Sequence, residues 1–364
     1  MPSSMLPERE PILGKPPGVL IVAPAWVGDM VMAHVLVQIL KTRLPVPRVG
    51  VLAPPATAPL ARRMPGVDAV HVLDVGHGEI GLRRRLQLAL ALREPAYDQA
   101  IVLPNSHKSA WIPWFARVPL RTGWHGEFRH GVLNDRRRLA AAELPRMVDR
   151  FAALGFPGVT SARSLRNALG GAADDGGAAT AIPVPRPQLE ADLAAQGPLQ
   201  ERLGLDAGAP APVVLCPGAE FGPAKRWPVQ HFAAVAQRCR ARGEAVWLLG
   251  SGKDRPLTGA IAAAAPGAVD LGGRTSLAEA VDLLALARVV VSNDSGLLHV
   301  AGALGRPVVG LYGSSSPDFT PPLGARAVVL AEDLPCRPCF ARECPLGHLR
   351  CLEELSPDRV VAEL

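Results

Sequence analysis

The residues with the most chemical potential lie in three short turns. Asn293-Asp294-Ser295-Gly296 separates the apolar run that begins at Val289 from a short helical stretch containing His299. Where a strand stops and a helix starts, amide N–H groups are unpaired and the helix dipole is positive, so this turn can receive a phosphate. The same grammar also describes an ordinary helix cap supplied by Asp294 or Ser295. The second turn, Pro217–Pro228, follows another apolar strand and holds Gly222, Lys225 and Arg226. A glycine lets backbone approach a phosphate, and a lysine adds a point charge. The third, Pro24–Asp29, puts a carboxylate at a helix start. Asp29 there reads as an N-cap or as a carboxylate that stays ionised at neutral pH and accepts a proton.

Lys108, Arg121 and Arg129 sit near strand ends, where a cation can contact an anionic ligand, arginine through two parallel hydrogen bonds. Near the C-terminus, Cys336, Cys339, Cys344, His348 and Cys351 crowd together. In a reducing compartment such crowding argues against disulfides and is compatible with a structural zinc, although the spacing matches no known finger. The turn Pro24–Asp29 lacks the glycines and lysine of dinucleotide and P-loop motifs.

These turns need a scaffold that brings strand ends together. Gly18–Ala23, Arg48–Leu52, Ala69–Leu73 and Gln99–Pro104 read as strands, with helical spacing over Met30–Lys41 and Gly81–Arg93. The run Gly170–Pro187 is poor in core-forming residues and reads as an interdomain linker. Beyond it come a helix over Gln188–Leu205, a strand over Pro212–Cys216, a helix over Val229–Arg242, a strand over Ala245–Leu249 ending in Gly250-Ser-Gly-Lys-Asp254, and a capped helix from Thr275 or Ser276 to Ala287. Alternating strands and helices predict parallel sheets, whose ligands collect at the carboxyl ends of the strands. Three loops of the second half end on that edge, which a nucleoside diphosphate explains better than three coincidental caps.

At 364 residues the chain predicts two domains. We expect a loose tail over 1–17, an N-terminal domain over 18–186 and a C-terminal domain over 187–364 with the Cys-rich tail. No apolar run is long enough to span a membrane, and no signal-peptide core is present, which predicts a cytoplasmic protein. The net charge of +6 is uneven: residues 1–186 hold 23 Lys and Arg against 14 Asp and Glu, whereas residues 187–364 hold 16 against 19. The basic half suggests an anionic partner. Basic motifs interleaved with aromatics are absent, which ranks nucleic acid last among the candidates.

Ala25–Met30, Leu103–Ser106, Arg121–Trp124, Gly218–Pro228, Asn293–His299 and Ser314–Pro322, in that order, resemble glycosyltransferase family 9, the lipopolysaccharide heptosyltransferases. The likeness spans most of the chain from Gly18. It implies a GT-B fold, α/β with two Rossmann-like domains facing across a cleft, acceptor on the first and sugar nucleotide on the second. It implies inverting transfer of L-glycero-D-manno-heptose from ADP-heptose to the first heptose of heptosyl-Kdo2-lipid A. By this likeness Asp29 is the general base and Lys225 neutralises the leaving ADP. Glu220, Phe221, Asp294, Ser295, Gly296 and His299 line the donor site, and Lys108, Arg121 and Arg129 serve the acceptor. No Asp-x-Asp occurs in the chain, so no metal or cofactor is expected, and the leaving charge falls on Lys225 and helix N-termini. The expected setting is a monomer, peripheral on the anionic cytoplasmic face of the inner membrane. A sister activity at another inner-core position is the near alternative, and a non-catalytic lipid A or sugar-nucleotide binder is the alternative of a different class.

Overall fold

Uninterrupted apolar runs mark the central strands, as expected where helices cover both faces of a parallel sheet. In the computed structural model, which describes residues 17–44, 46–76, 79–170 and 182–364, Gly18–Val22 is such a run, buried along its whole length. The tail expected over 1–17, save Pro17, and residues 171–181 of the expected linker lie outside the described residues.

The first sheet contains β1 Gly18–Val22, β2 Arg48–Ala53, β3 Ala69–Val72, β4 Gln99–Val102, β5 Leu120–Trp124 and β6 Asp135–Arg137. Its order is β3-β2-β1-β4-β5-β6, with every pair parallel. Its helices are α1 Val27–Thr42, α2 Ala58–Ala61, α3 Leu82–Ala91, α4 Trp111–Phe115, α5 Met147–Gly155 and α6 Ala162–Ala168. Leu20, Val22, Leu52, Val102 and Ile112 belong to one of its buried clusters.

The second sheet contains β7 Val213–Cys216, β8 Val246–Leu248, β9 Val269–Asp270, β10 Val289–Asn293, β11 Val308–Tyr312 and β12 Ala327–Ala331. Its order, β12-β11-β10-β7-β8-β9, is again fully parallel and repeats the first topology. Its helices are α7 Leu193–Leu203, α8 Val229–Ala241, α9 Arg255–Ala264, α10 Leu277–Leu284 and α11 Gly296–Ala303. Helix α7 is shorter than the run Gln188–Leu205, because Asp192 caps it by accepting from the Ala195 amide and Gly204 closes it in a left-handed conformation. Ser276 caps α10 in a reciprocal box with Glu279. Cys216 and Cys239 are buried free thiols.

Both sheets therefore have the doubly wound order in which strands turn opposite ways from a central pair, β1 and β4 in one, β7 and β10 in the other. Loops leaving the carboxyl ends of such a pair diverge and leave room for a ligand. By contacts, one unit comprises the chain up to Ala25 and Ala33–Pro185; the other comprises Arg186–Leu364 together with Trp26–Met32. The first turn of α1 thus groups with the second sheet, although its sequence position lies in the expected N-terminal domain. The α/β class of two Rossmann-like units is as expected.

Candidate functional site

The loop after β7 and the turn after β10 leave the switch point of the second sheet side by side. The side chain of Asn293, fully buried, joins them: its Oδ1 accepts from the Trp227 amide at 3.0 Å and its Nδ2 donates to the Pro217 carbonyl at 2.8 Å. One amide group thus holds both ends of the segment that carries Lys225. Trp227, also buried, pins the far end by donating its indole N–H to the Leu355 carbonyl at 2.9 Å and by packing edge-on against Phe232. The Gly250 loop closes on the same segment. The Asp254 carboxylate stands 2.5 Å from where a Cβ on Gly218 would fall, so a larger residue there would displace that carboxylate, and Lys253 pairs with Glu220 at 2.5 Å on the exposed rim.

Neither Asp294 nor Ser295 caps α11 through its side chain. The Ser295 hydroxyl lies 3.1 Å from that of Ser292 instead. The Asp294 carboxylate, almost wholly buried, takes the Lys225 ammonium on Oδ2 at 2.5 Å, and its Oδ1 lies 3.7 Å from His299 Nε2 and 3.5 Å from the Thr320 hydroxyl. Burial would raise its pKa, but the His299 ring and the Lys225 ammonium outweigh burial and bring it down to about 2. Without side-chain caps, the first amides of α11 stay available to an anion. Lys225 also lies 5.1 Å over the Phe221 ring, which holds the ammonium at the head of the loop.

Asp29 is not an N-cap either. It is in the first turn inside α1, and its carboxylate has no hydrogen bond or ion pair among the described residues. Burial pushes its pKa above the usual carboxylate range, against the pull of His299 and Lys225 and with a further push from Asp294. Asp29 therefore lies within electrostatic reach of the Asp294 cluster. Two glycines allow this proximity. A Cβ on Gly296 would stand 2.5 Å from Val27 Cβ, and one on Gly28 would stand 2.9 Å from the His299 ring. Asp29, Lys225, Asp294, Ser295, Gly296 and His299 are thus gathered in one unit, with Phe221 under the lysine and Glu220 at the rim.

The three cations expected to serve an acceptor separate. Arg129 is fully buried; it donates to the Pro104 carbonyl at 2.7 Å, to Asn105 Oδ1 at 3.3 Å and to the Trp124 carbonyl. Arg121 donates to the carbonyls of Val132 at 2.7 Å and Val118 at 2.6 Å. Burial depresses both guanidinium pKa values. These arginines tie loops of the first unit together through guanidinium donors that face carbonyls, while Arg129 Nε is buried without a hydrogen-bond partner among the described residues. Lys108 is half-buried and forms no ion pair among the described residues.

The Cys-rich segment has a role that the sequence did not signal. The Arg342 carbonyl accepts from the Ala224 amide at 3.0 Å, the Arg342 guanidinium lies 5.4 Å from the centroid of the Phe221 ring, and a Cβ on Gly222 would stand 2.4 Å from that same carbonyl. The segment thereby buttresses the Lys225 loop. Among the described residues, no group of three or more His, Cys, Asp or Glu side chains is arranged to hold a metal ion.

The sequence pattern of Glycosyltransferase family 9 (heptosyltransferase) matches residues 85–350. Lipopolysaccharide heptosyltransferase 2 of Salmonella typhimurium is 40% identical over 353 residues, covering 95% of this chain and 97% of that protein. Lipooligosaccharide heptosyltransferase 2 of Haemophilus ducreyi is 42% identical over 358 residues, covering 95% and 98%. The solved structure of E. coli ADP-heptose lps heptosyltransferase II superposes with a TM-score of 0.81 at 38% identity, covering 95% of this chain and 97% of that one.

Proposed function

The chain belongs to glycosyltransferase family 9, and from that premise we propose that it transfers heptose from ADP-heptose to lipopolysaccharide, as an inverting enzyme acting on the first heptose of heptosyl-Kdo2-lipid A. The observation that carries the reading is the grouping of an unpartnered, partly buried Asp29 with the Lys225–Asp294–His299 cluster and the uncapped start of α11.

In this reading the diphosphate of the donor meets the α11 amides and Lys225. The acceptor hydroxyl oxygen attacks the anomeric carbon from the face opposite the phosphate, and its proton passes to the Asp29 carboxylate. The bond to the β-phosphate oxygen breaks and ADP leaves with the electron pair, so configuration inverts. A base needs an open, ionised carboxylate whose pKa is near the working range, and the raised pKa of Asp29 favours that role. The negative charge that develops on the leaving phosphate falls on a preorganised ammonium and helix amides. Asp294 keeps Lys225 and His299 in place and presents what remains of its acceptor capacity to sugar hydroxyls. The reading requires no metal, since the chain has no Asp-x-Asp to clamp the diphosphate. Lys108 remains the candidate for the acceptor's phosphates. The setting that fits is a monomer working at the cytoplasmic face of the inner membrane.

The test supplies purified protein and ADP-heptose with heptose-free and mono-heptosylated Kdo2-lipid A in separate reactions, followed by mass spectrometry. Addition of one heptose to the mono-heptosylated acceptor alone is expected. Transfer to the heptose-free acceptor alone would assign the sister activity, and no transfer to either would return the chain to the class of binding proteins.

A further inference from the structure

Leu82, Leu86 and Leu90 recur at four-residue spacing on α3 and all face solvent, Leu90 with 56% of its surface exposed, and Ile80 just before the helix is 61% exposed. Residues three or four apart share one helix face, so these leucines form a row rather than scattered exceptions. The helix cannot roll to bury them. Its other face already buries Arg85, Ala89 and Leu92, and Arg85 donates to the carbonyls of Ile80 at 2.7 Å and Lys108 at 3.3 Å. At its end Arg93 donates to the Phe115 carbonyl at 2.9 Å, which fixes α3 against α4. Helix α4, held to the end of α3, exposes a further large apolar side chain, Trp114, whose ring lies 4.8 Å from that of Phe115.

Arg83 and Arg84 are exposed on α3 itself, exposed Arg93 and Arg117 follow α3 and α4, and Arg93, Trp114, Phe115 and Arg117 line a shallow hollow. The carboxylates nearby are Asp74, which Arg84 approaches at 3.9 Å, Glu79 and Glu94. The cations outnumber them, within a half-chain whose formal charge is +9. An apolar row rimmed by arginines matches the boundary between acyl chains and anionic headgroups, where leucine and tryptophan enter and arginine stems reach outward to phosphate. Among the described residues no helix is long and apolar enough to cross a membrane.

We propose that the face made by Leu82, Leu86, Leu90 and Trp114, with Arg83 and Arg84 at its edge, docks on an anionic lipid bilayer. The inference rests on the reading that the acceptor is lipid-anchored, and it names the surface that brings the chain to that lipid. Each arginine at an anionic surface strengthens partition by about fivefold, and the arginine share weakens with added salt.

The full chain is mixed with vesicles containing phosphatidylglycerol and, separately, with vesicles of phosphatidylcholine alone, and floated on a density gradient. Flotation with the anionic vesicles only, reduced by salt, is expected. Leu86→Asp/Leu90→Asp and Arg83→Glu/Arg84→Glu are each expected to weaken it by at least about tenfold. Transfer from ADP-heptose to a deacylated, lipid-free acceptor should be unchanged in both variants, as should their melting temperatures. If wild-type protein fails on the lipid-free acceptor yet floats, the functional reading fails and the surface stands. Absence of wild-type flotation, or variants that float like wild type, overturns the proposal. So does a leucine variant that turns a dimer into a monomer in light scattering without altering flotation, because the row would then bind a second copy.

Discussion

Lys225 Nζ lies 2.5 Å from Asp294 Oδ2, with both side chains largely withdrawn from solvent. Without nucleotide the ammonium therefore already has a counter-charge, and a diphosphate must share it. Lys225→Ala should weaken binding of ADP itself by at least about tenfold, the order of a charge-assisted hydrogen bond lost to a ligand. Calorimetry with ADP measures this directly. An unchanged affinity would remove Lys225 from the phosphate site.

Asp29 lacks any such partner among the described residues, and burial raises its pKa. Asp29→Ala should retain ADP-heptose affinity and lose turnover by at least about 100-fold, the scale of general-base catalysis. On the proposed mechanism turnover requires the ionised Asp29 carboxylate, so it should fall as pH drops through a pKa held above the ordinary 3.8. A pH profile whose acidic limb is the same in Asp29→Ala would assign that limb to another group.

Against burial, the His299 ring and the Lys225 ammonium bring the Asp294 carboxyl down to about 2 from an ordinary 3.8. Between those values the unfolded chain binds more protons, so stability rises with pH there. The contribution is present above about pH 4 and is lost as the solution is acidified towards pH 2. It is worth roughly 2 kcal/mol by the shift. Denaturant unfolding of Asp294→Asn should show a correspondingly flatter acid dependence. An unaltered slope would place the acid sensitivity elsewhere.

The scaffold was legible because burial on both faces writes itself into runs such as Gly18–Val22 and Val289–Val291, and because turn residues punctuate them. The loops that carry Lys225 and Asp294 were legible for the same reason: each follows a buried strand at its carboxyl end. The arginines of the first unit were not. Arg121 and Arg129 have the same local setting as a ligand-binding arginine, and the carbonyls of Val132, Pro104 and Trp124 that they meet are brought to them by the fold rather than by spacing. Arg342 escaped notice for the converse reason, since its partner Ala224 is far away in sequence. The separation of Trp26–Met32 from the rest of its expected domain is likewise a matter of contacts, which spacing does not encode.

Asn293 lies at a turn by its sequence, yet its buried amide joins the two ends of the Lys225 loop. Asn293→Ala would leave the Trp227 amide and the Pro217 carbonyl without partners, at about 1–3 kcal/mol for each buried group. It should lower stability accordingly and raise KM for ADP-heptose more than it lowers kcat. Asn293→Asp keeps an acceptor for Trp227 but turns an oxygen towards Pro217, so it should not rescue. Full rescue by aspartate would show that the Pro217 bond is dispensable.

Gly296 and Gly28 set the approach of Asp29 to the α11 cluster, and neither has a left-handed backbone that would demand glycine. Their reason is space: a Cβ on Gly296 meets Val27 at 2.5 Å, and one on Gly28 meets the His299 ring at 2.9 Å. The first clash is against a β-branched side chain held at the start of α1, so the helix turn must move. The second is against a ring edge that can turn slightly. Gly296→Ala should therefore cost more turnover than Gly28→Ala, because displacing the turn by a fraction of an ångström misplaces the base. Gly296 also supplies an α11 amide, but alanine keeps that N–H, so ADP affinity should change little. Steady-state kinetics beside ADP calorimetry separates the two effects. Equal loss of ADP binding and of turnover in Gly296→Ala would mean that the glycine serves the phosphate site rather than the placement of Asp29.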